Sequence, residues 1–381
     1  MTSTRKRAML TATAAVAASA TLLALVYGGD SPDELAVRPV AEATPALPEA
    51  GAGPTSTAEP PEPEPSPENG KPEVPEERDE PEPEETEPET GNPGALTKTI
   101  RHGPYEVPAA VGDQDGRSRD IIELGIETPC GDCYITSITP NMVYEDGSVA
   151  NVDTGPGLHH FLLTSQFRAD PVCGQSLPNP SVFLGERFAA AGNERTVIAM
   201  PTGYGIYNAP LHRWNMASDF MNHAEEVKEV YVEITYEYVP ASTAKLKELR
   251  PVWLDVAPCG SVRDTYQVPA GGSTETWDWE VNVPGRVIAL GGHAHNGSVN
   301  VKATNLSTGE TICDSVVGYG EKPEFVNIHG EKEVSSLKKC LGTPVTTLER
   351  GQTVRLATTY ETEAAIPDAM GIMVVYIEPT P

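Results

Sequence analysis

Apolar and polar positions alternate in short runs through most of this chain, and the runs are broken by turn residues at short intervals. From Val230 to Tyr238, Val-Tyr-Val-Glu-Ile-Thr-Tyr-Glu-Tyr largely follows the two-residue period of a half-buried strand. The same reading predicts strands over Asp120–Ile126, Cys133–Ile138, His160–Ser165, Arg195–Met200, Val227–Val239, Val281–Leu290, Ser298–Thr304, Thr353–Thr359 and Gly371–Glu378. Gly, Pro, Asn and Asp separate them, as in Pro140–Ser148, Asn151–Gly157 and Asn305–Glu310. Only Phe183–Gly192 and Ser242–Leu249 read as short helices. Many short strands with little helix predict an all-β fold of sandwich or jelly-roll type. Pro240–Pro251 reads as a joint. The expected architecture is therefore two tandem antiparallel jelly-roll or β-sandwich domains, residues 97–247 and 248–381.

Composition sets the rest of the chain apart. Arg5-Lys6-Arg7 precedes an apolar run from Ala8 to Val26, so residues 1–29 read as an export signal. An uncleaved N-terminal membrane anchor is the alternative, with the basic residues on the cytoplasmic side. Residues 30–96 are rich in Pro and Glu, and 19 acidic residues between 30 and 95 face only Arg38, Lys71 and Arg78. Few apolar side chains are available there to offset ordering entropy, so a disordered, extended acidic spacer is expected. The spacer carries more than half of the formal net charge of −28. That acidity argues against nucleic acid as a partner, because such a surface would be basic.

All six cysteines lie beyond the spacer, at 130, 133, 173, 259, 313 and 340. An even number behind an export signal predicts disulfides. Cys313 and Cys340 are the two set well within the second domain, so they are expected to pair. Cys130-Gly-Asp-Cys133 leaves a redox pair or half of a zinc site open as further readings. Asn296-Gly-Ser298 and Asn305-Leu-Ser307 match the glycosylation sequon. The four tryptophans, at 214, 253, 277 and 279, read as packing residues.

Histidines bring in the chemistry. Eight occur in 381 residues, and four of them form two clusters, His159-His160 and His293-Ala-His295. Residues i and i+2 of a strand share a face, so His293 and His295 can grip one ion at almost no conformational cost. Adjacent His159 and His160 would face opposite ways, one to the core and one to solvent. A bulge or strand start after Asp153–Gly157 would turn both to one ion. Met370 opens a late strand-like run, and a thioether beside imidazoles favours copper over structural zinc. No GxSxG, P-loop or HExxH motif occurs.

The order HH, a later His, HxH and then Met resembles that of the copper type II, ascorbate-dependent monooxygenases, over roughly residues 97–381. Those enzymes have two tandem jelly-roll domains, each with one copper. The resemblance implies a first copper held by His159 and His160, and a second, catalytic copper held by His293, His295 and Met370. That family takes its third first-site histidine from a strand position matching Thr235 here, so His223 is the expected substitute and His212 the second choice. It also implies up to two coppers, O2, and a small reductant such as ascorbate. The substrate, a small molecule or a peptide, is undefined. Gly291 stands where the peptide hydroxylases carry a substrate-binding Arg, which disfavours peptidylglycine.

Several segments also resemble the secreted stress-upregulated nodulin-like proteins: Cys130–Thr136, Pro140–Val143, Leu158–Phe161, Phe220–His223 and Thr359–Glu361. The expected function is an extracytoplasmic copper-dependent monooxygenase that hydroxylates a C–H bond. A non-catalytic copper-binding protein, or a purely structural β-sandwich at the cell surface, is the alternative. Candidate carboxylate or amide partners of the ligating imidazoles are Asp153, Asn296 and Glu361.

Overall fold

Among the described residues, twenty-one strands, numbered in chain order, and two single turns of 3-10 helix make up the regular structure. The computed structural model describes residues 90–380, apart from 113, 167, 175–184 and 260–264. The expected leader and nearly all of the expected spacer lie outside the described residues. Within the expected spacer, Thr90 bridges Pro201 and Asn92 accepts a bond from the Gly203 N–H at 2.8 Å.

The sheets fall into two groups along the chain. In the first sheet β1 (Leu96–Val107), β9 (Lys228–Pro240), β3 (Cys133–Val143), β7 (Tyr204–Asn208) and β10 (Lys247–Glu248) lie in that order, and β6 (Ile198–Ala199) joins β3. A second sheet runs β2 (Gly116–Ile126), β8 (Trp214–Asn222), β4 (Pro156–Ser165), β5 (Glu186–Ala191). A third runs β11 (Arg250–Asp255), β21 (Gly371–Pro379), β14 (Gly285–Ala294), β18 (Cys340–Leu348). The fourth runs β13 (Ser273–Glu280), β19 (Thr353–Tyr360), β15 (Ser298–Asn305), β16 (Glu310–Tyr319), β17 (Val334–Leu337). A small ribbon pairs β12 (Tyr266–Val268) with β20 (Ile366–Ala369). Nearly all pairings are antiparallel; β10 with β7 is parallel. The fold is all-β.

Two apolar cores explain the strand sequences. The first collects β1, β3, β4, β5, β8 and β9, through residues such as Ile138, Phe161, Phe188, Phe220 and Tyr236. The second lies between the third and fourth sheets, with Trp279, Val301, Leu356 and Val375 among its members. The third sheet serves both. On β21, Ile372, Val374 and Tyr376 join the first core while Met373, Val375 and Ile377 join the second. A strand buried on both faces must be apolar at every position, which accounts for the unbroken run Gly371–Ile377. Tyr376 satisfies its hydroxyl by donating to the Phe188 carbonyl at 2.9 Å.

Neither expected helix forms among the described residues. Glu186–Ala191 is strand β5, since its alanines and Phe188 fill the ladder beside β4. Residues 241–243 form a turn, 244–246 are irregular, and Lys247–Glu248 is strand. Local helix propensity yields in both places to tertiary pairing. Trp214, Trp253 and Trp279 are buried, as packing residues should be. Asn305 is 1 % exposed, so its sequon is no glycan acceptor in the folded chain.

Three disulfides are formed, Cys130–Cys133, Cys173–Cys259 and the expected Cys313–Cys340, the last with its Cα atoms 5.9 Å apart. Cys130–Cys133 removes the zinc reading of that motif. Among the described residues no helix is long and apolar enough to cross a membrane.

Candidate metal centre

Strand β4 carries His159 and His160, and its register with β8 slips between Leu158 and His160. That irregularity is the bulge the sequence required. It turns both rings the same way, so their Nδ1 atoms lie 3.0 Å apart. On β14, His293 stands opposite Ile372 of β21. Ile372 faces the first core, and residues directly opposite share a face, so His293 and His295 face the same side, toward β4.

The two histidine pairs therefore meet. The ring centroids of His159 and His295 are 4.2 Å apart, and those of His160 and His293 6.2 Å. Ring nitrogens of His159, His160 and His295 all lie within 4.8 Å of one another. Gly192, at the end of β5, is required by this approach. A Cβ there would stand 2.6 Å from His293 Cε1 and 2.9 Å from the His159 carbonyl oxygen.

Three of the four rings have an outer partner. His295 donates its Nδ1–H to the Asp368 carbonyl at 2.7 Å, which leaves Nε2 buried without a partner. His293 donates Nδ1–H to Glu194 Oε1 at 3.2 Å, and its Nε2 is likewise buried and unsatisfied. His160 Nε2 is 3.8 Å from Asp219. Partners of this kind set tautomer and ring orientation in metal sites. They are not the ones expected: Asn296 bonds Glu333 instead. Glu194 was legible only as the end of a Gly-Asn-Glu turn closing an apolar run, 99 residues from His293. The Asp368 carbonyl leaves no side-chain signal at all.

Electrostatics prepares the rings as ligands. Burial, followed by the charge of neighbouring imidazoles and Arg117, holds His159 and His295 well below their ordinary value. For His160, burial and His293 bring it to about 3. All three are neutral at neutral pH, the form that coordinates a metal. Burial alone would raise the Glu194 carboxyl, but His293 and the Gly192 N–H hold it below the usual carboxylate range.

Met370 precedes β21, next in line toward His295 after the Gly371–Ala294 pair. It is buried in the first core with Ile372 and Val374. Its backbone is tied to His295 through Tyr360, whose hydroxyl donates to the Met370 carbonyl at 2.7 Å and accepts the His295 N–H at 2.9 Å. His223 is placed apart from the histidine cluster. Its Nδ1 bonds Asp115 at 2.7 Å, and its Nε2 is 3.4 Å from Glu333. Burial lowers that imidazole and the two carboxylates more than reverse the effect, so it titrates above its ordinary value. His212 accepts the Ala209 N–H within its own turn, and Thr235 pairs with Thr99 on β1. His159, His223, His293 and His295 line a single cavity of about 570 Å³ with Asp115, Arg117, Glu194 and Glu333.

No family model matches the chain. Among solved structures, the major capsid protein P2 of bacteriophage PM2 aligns with a TM-score of 0.30 and 9% identity, covering 75% of this chain and 98% of that one. In sequence the chain is similar to "Probable copper-dependent oxygenase M1" of Phoma sp., 24% identical over 298 residues, covering 74% of this chain and 72% of that protein. It is also similar to "Probable copper-dependent oxygenase clz3" of Cochliobolus lunatus, 24% identical over 262 residues, covering 63% and 78% respectively. Two distant relatives so named, together with the histidine cluster, support a copper-oxygenase-like family.

Proposed function

We propose that this chain is an extracytoplasmic copper-dependent monooxygenase whose metal is held by His159, His160 and His295. The carrying observation is the convergence of those three rings from two sheets, with neutral nitrogens and no competing partner for His295 Nε2. Three imidazoles suit several divalent metals; the relatives favour copper. Copper, when bound, supplies one-electron exchange with O2, so that a substrate C–H becomes C–OH and the second oxygen atom leaves as water, two electrons coming from a small reductant such as ascorbate. His293, fixed by Glu194, stands beside the site as a further donor. Met370 is the proposed thioether ligand. The cavity is large enough to admit a small substrate. Three disulfides support a location outside the cytoplasm.

A second reading, copper binding without turnover, has one observation in its favour. Histidines that would serve separate electron-storing and oxygen-binding ions meet at one point. Oxygen uptake separates the two. The copper-loaded chain with ascorbate and a substrate library should consume O2 and release a hydroxylated product, and His295→Ala should abolish both copper retention and uptake. Copper retained without any product formation would leave the binder; copper retained by His295→Ala would overturn the site.

A further inference from the structure

We propose a second divalent-cation site in the same cavity, held by His223 Nε2 and Glu333 and completed from the rim by His329. Its residues are distinct from the histidine cluster, and it stands independently of the copper reading. Asp115 fixes His223 by accepting from Nδ1–H at 2.7 Å. That directs the other nitrogen at Glu333 Oε1, 3.4 Å away. The ring is buried and its Nε2 makes no hydrogen bond. Glu333 does not depend on His223 for its own satisfaction, since Asn327 donates to Oε1 at 3.0 Å and Asn296 donates to Oε2. At 3.4 Å the separation is longer than a normal hydrogen bond. Two ligands each about 2.1 Å from one tetrahedral ion stand about 3.4 Å apart, which is the spacing found. A carboxylate on one imidazole nitrogen and a metal on the other is a recurrent arrangement. The exposed ring of His329 meets His223 edge-on, with centroids 6.3 Å apart, which puts it at the rim of the site as the proposed third ligand.

The donor set is imidazole nitrogen with carboxylate oxygen. That suits zinc, manganese or iron in their divalent states better than cuprous copper. A plain charged triad, with imidazolium between two carboxylates, is the competing account. It predicts that these residues affect stability and not stoichiometry.

The metal-free chain titrated with Zn(II) by calorimetry, with metal counted after gel filtration, decides between them. The wild type should bind two ions. His223→Ala and Glu333→Gln should each bind one, and His329→Ala should weaken the second ion at least tenfold. Asp115→Asn should weaken it by about 10- to 100-fold without changing the first. His295→Ala should lose the other ion instead, so failure of the copper site is read separately. One ion in the wild type, or two in both His223→Ala and Glu333→Gln, overturns the proposal. Circular dichroism of each variant, with Glu333→Gln as the near-isosteric change, guards against loss by misfolding.

Discussion

His159 and His160 act together only because one residue of β4 slips out of register, and that slip follows a Gly- and Pro-containing turn. The histidines themselves were legible as clusters, down to the shared face of His293 and His295. Their meeting was not, because it depends on sheets whose residues are more than a hundred positions apart. Glu194 shows what this hides. Glu194→Gln should lower copper affinity by about 10- to 100-fold, read by competition with a chelator, while leaving the β spectrum intact. Copper affinity unchanged in this variant would remove Glu194 from the site. Gly192→Ala should cost both stability and copper, since its Cβ would stand 2.6 Å from His293 Cε1 and 2.7 Å from Glu194 Oε2. Acid gives a third residue-scale outcome. In the metal-free chain His160 is held at about 3 against an ordinary 6.5, so unfolding takes up protons between those values. Its contribution is complete above about pH 6.5 and is lost as pH falls toward 3. His223 has the opposite sign, contributing below its ordinary value and losing that as pH rises past its elevated one. Urea midpoints from pH 7 to 4.5 should therefore fall, and His160→Gln should flatten the slope. An identical slope in the variant would show that these rings do not set it.

At the scale of elements, alternation marked β9, β15 and β19, whose buried faces repeat every second residue. It failed for β8, Trp214–Asn222, where eight of nine positions are buried and Asn, Ala and Met carry no strand signature. It failed also for β13, a largely polar strand at a sheet edge. β21 was visible as an apolar run, but not its reason, which is service to two cores at once. Ile372→Ala on this strand should destabilise by about 2–5 kcal/mol in denaturant titration, as other buried large-to-small changes do. Tyr360→Phe tests the link between β19 and the metal site. It leaves the His295 N–H and the Met370 carbonyl without their partner, so a loss of about 1–3 kcal/mol and an altered copper spectrum are expected. A shift in stability alone would place Tyr360 outside the site's geometry.

For the whole molecule, the sequence offered a joint near Pro240–Pro251, which lies between strands β9 and β11. Sharing of the third sheet was not readable, because a sequence gives no sign of which faces two sheets present to each other. Ile288, Ile372, Val374 and Tyr376 belong to the later part of the chain yet fill the core of the earlier part. Cys173–Cys259 ties the same two parts, across 86 residues. Replacing both cysteines by serine should cost roughly 2–4 kcal/mol, seen as a lower thermal midpoint that still shows one transition. Two separated transitions would mean that the halves fold independently.

Because β4 supplies two rings and the residue just after β14 the third, neither segment on its own possesses a chelating set. Copper occupancy would then report on the order of events during refolding. Colour or a nitrogen-coupled resonance would emerge only after the faces carrying Gly192 and His293 had come together, making the metal a stopwatch for the last step of assembly.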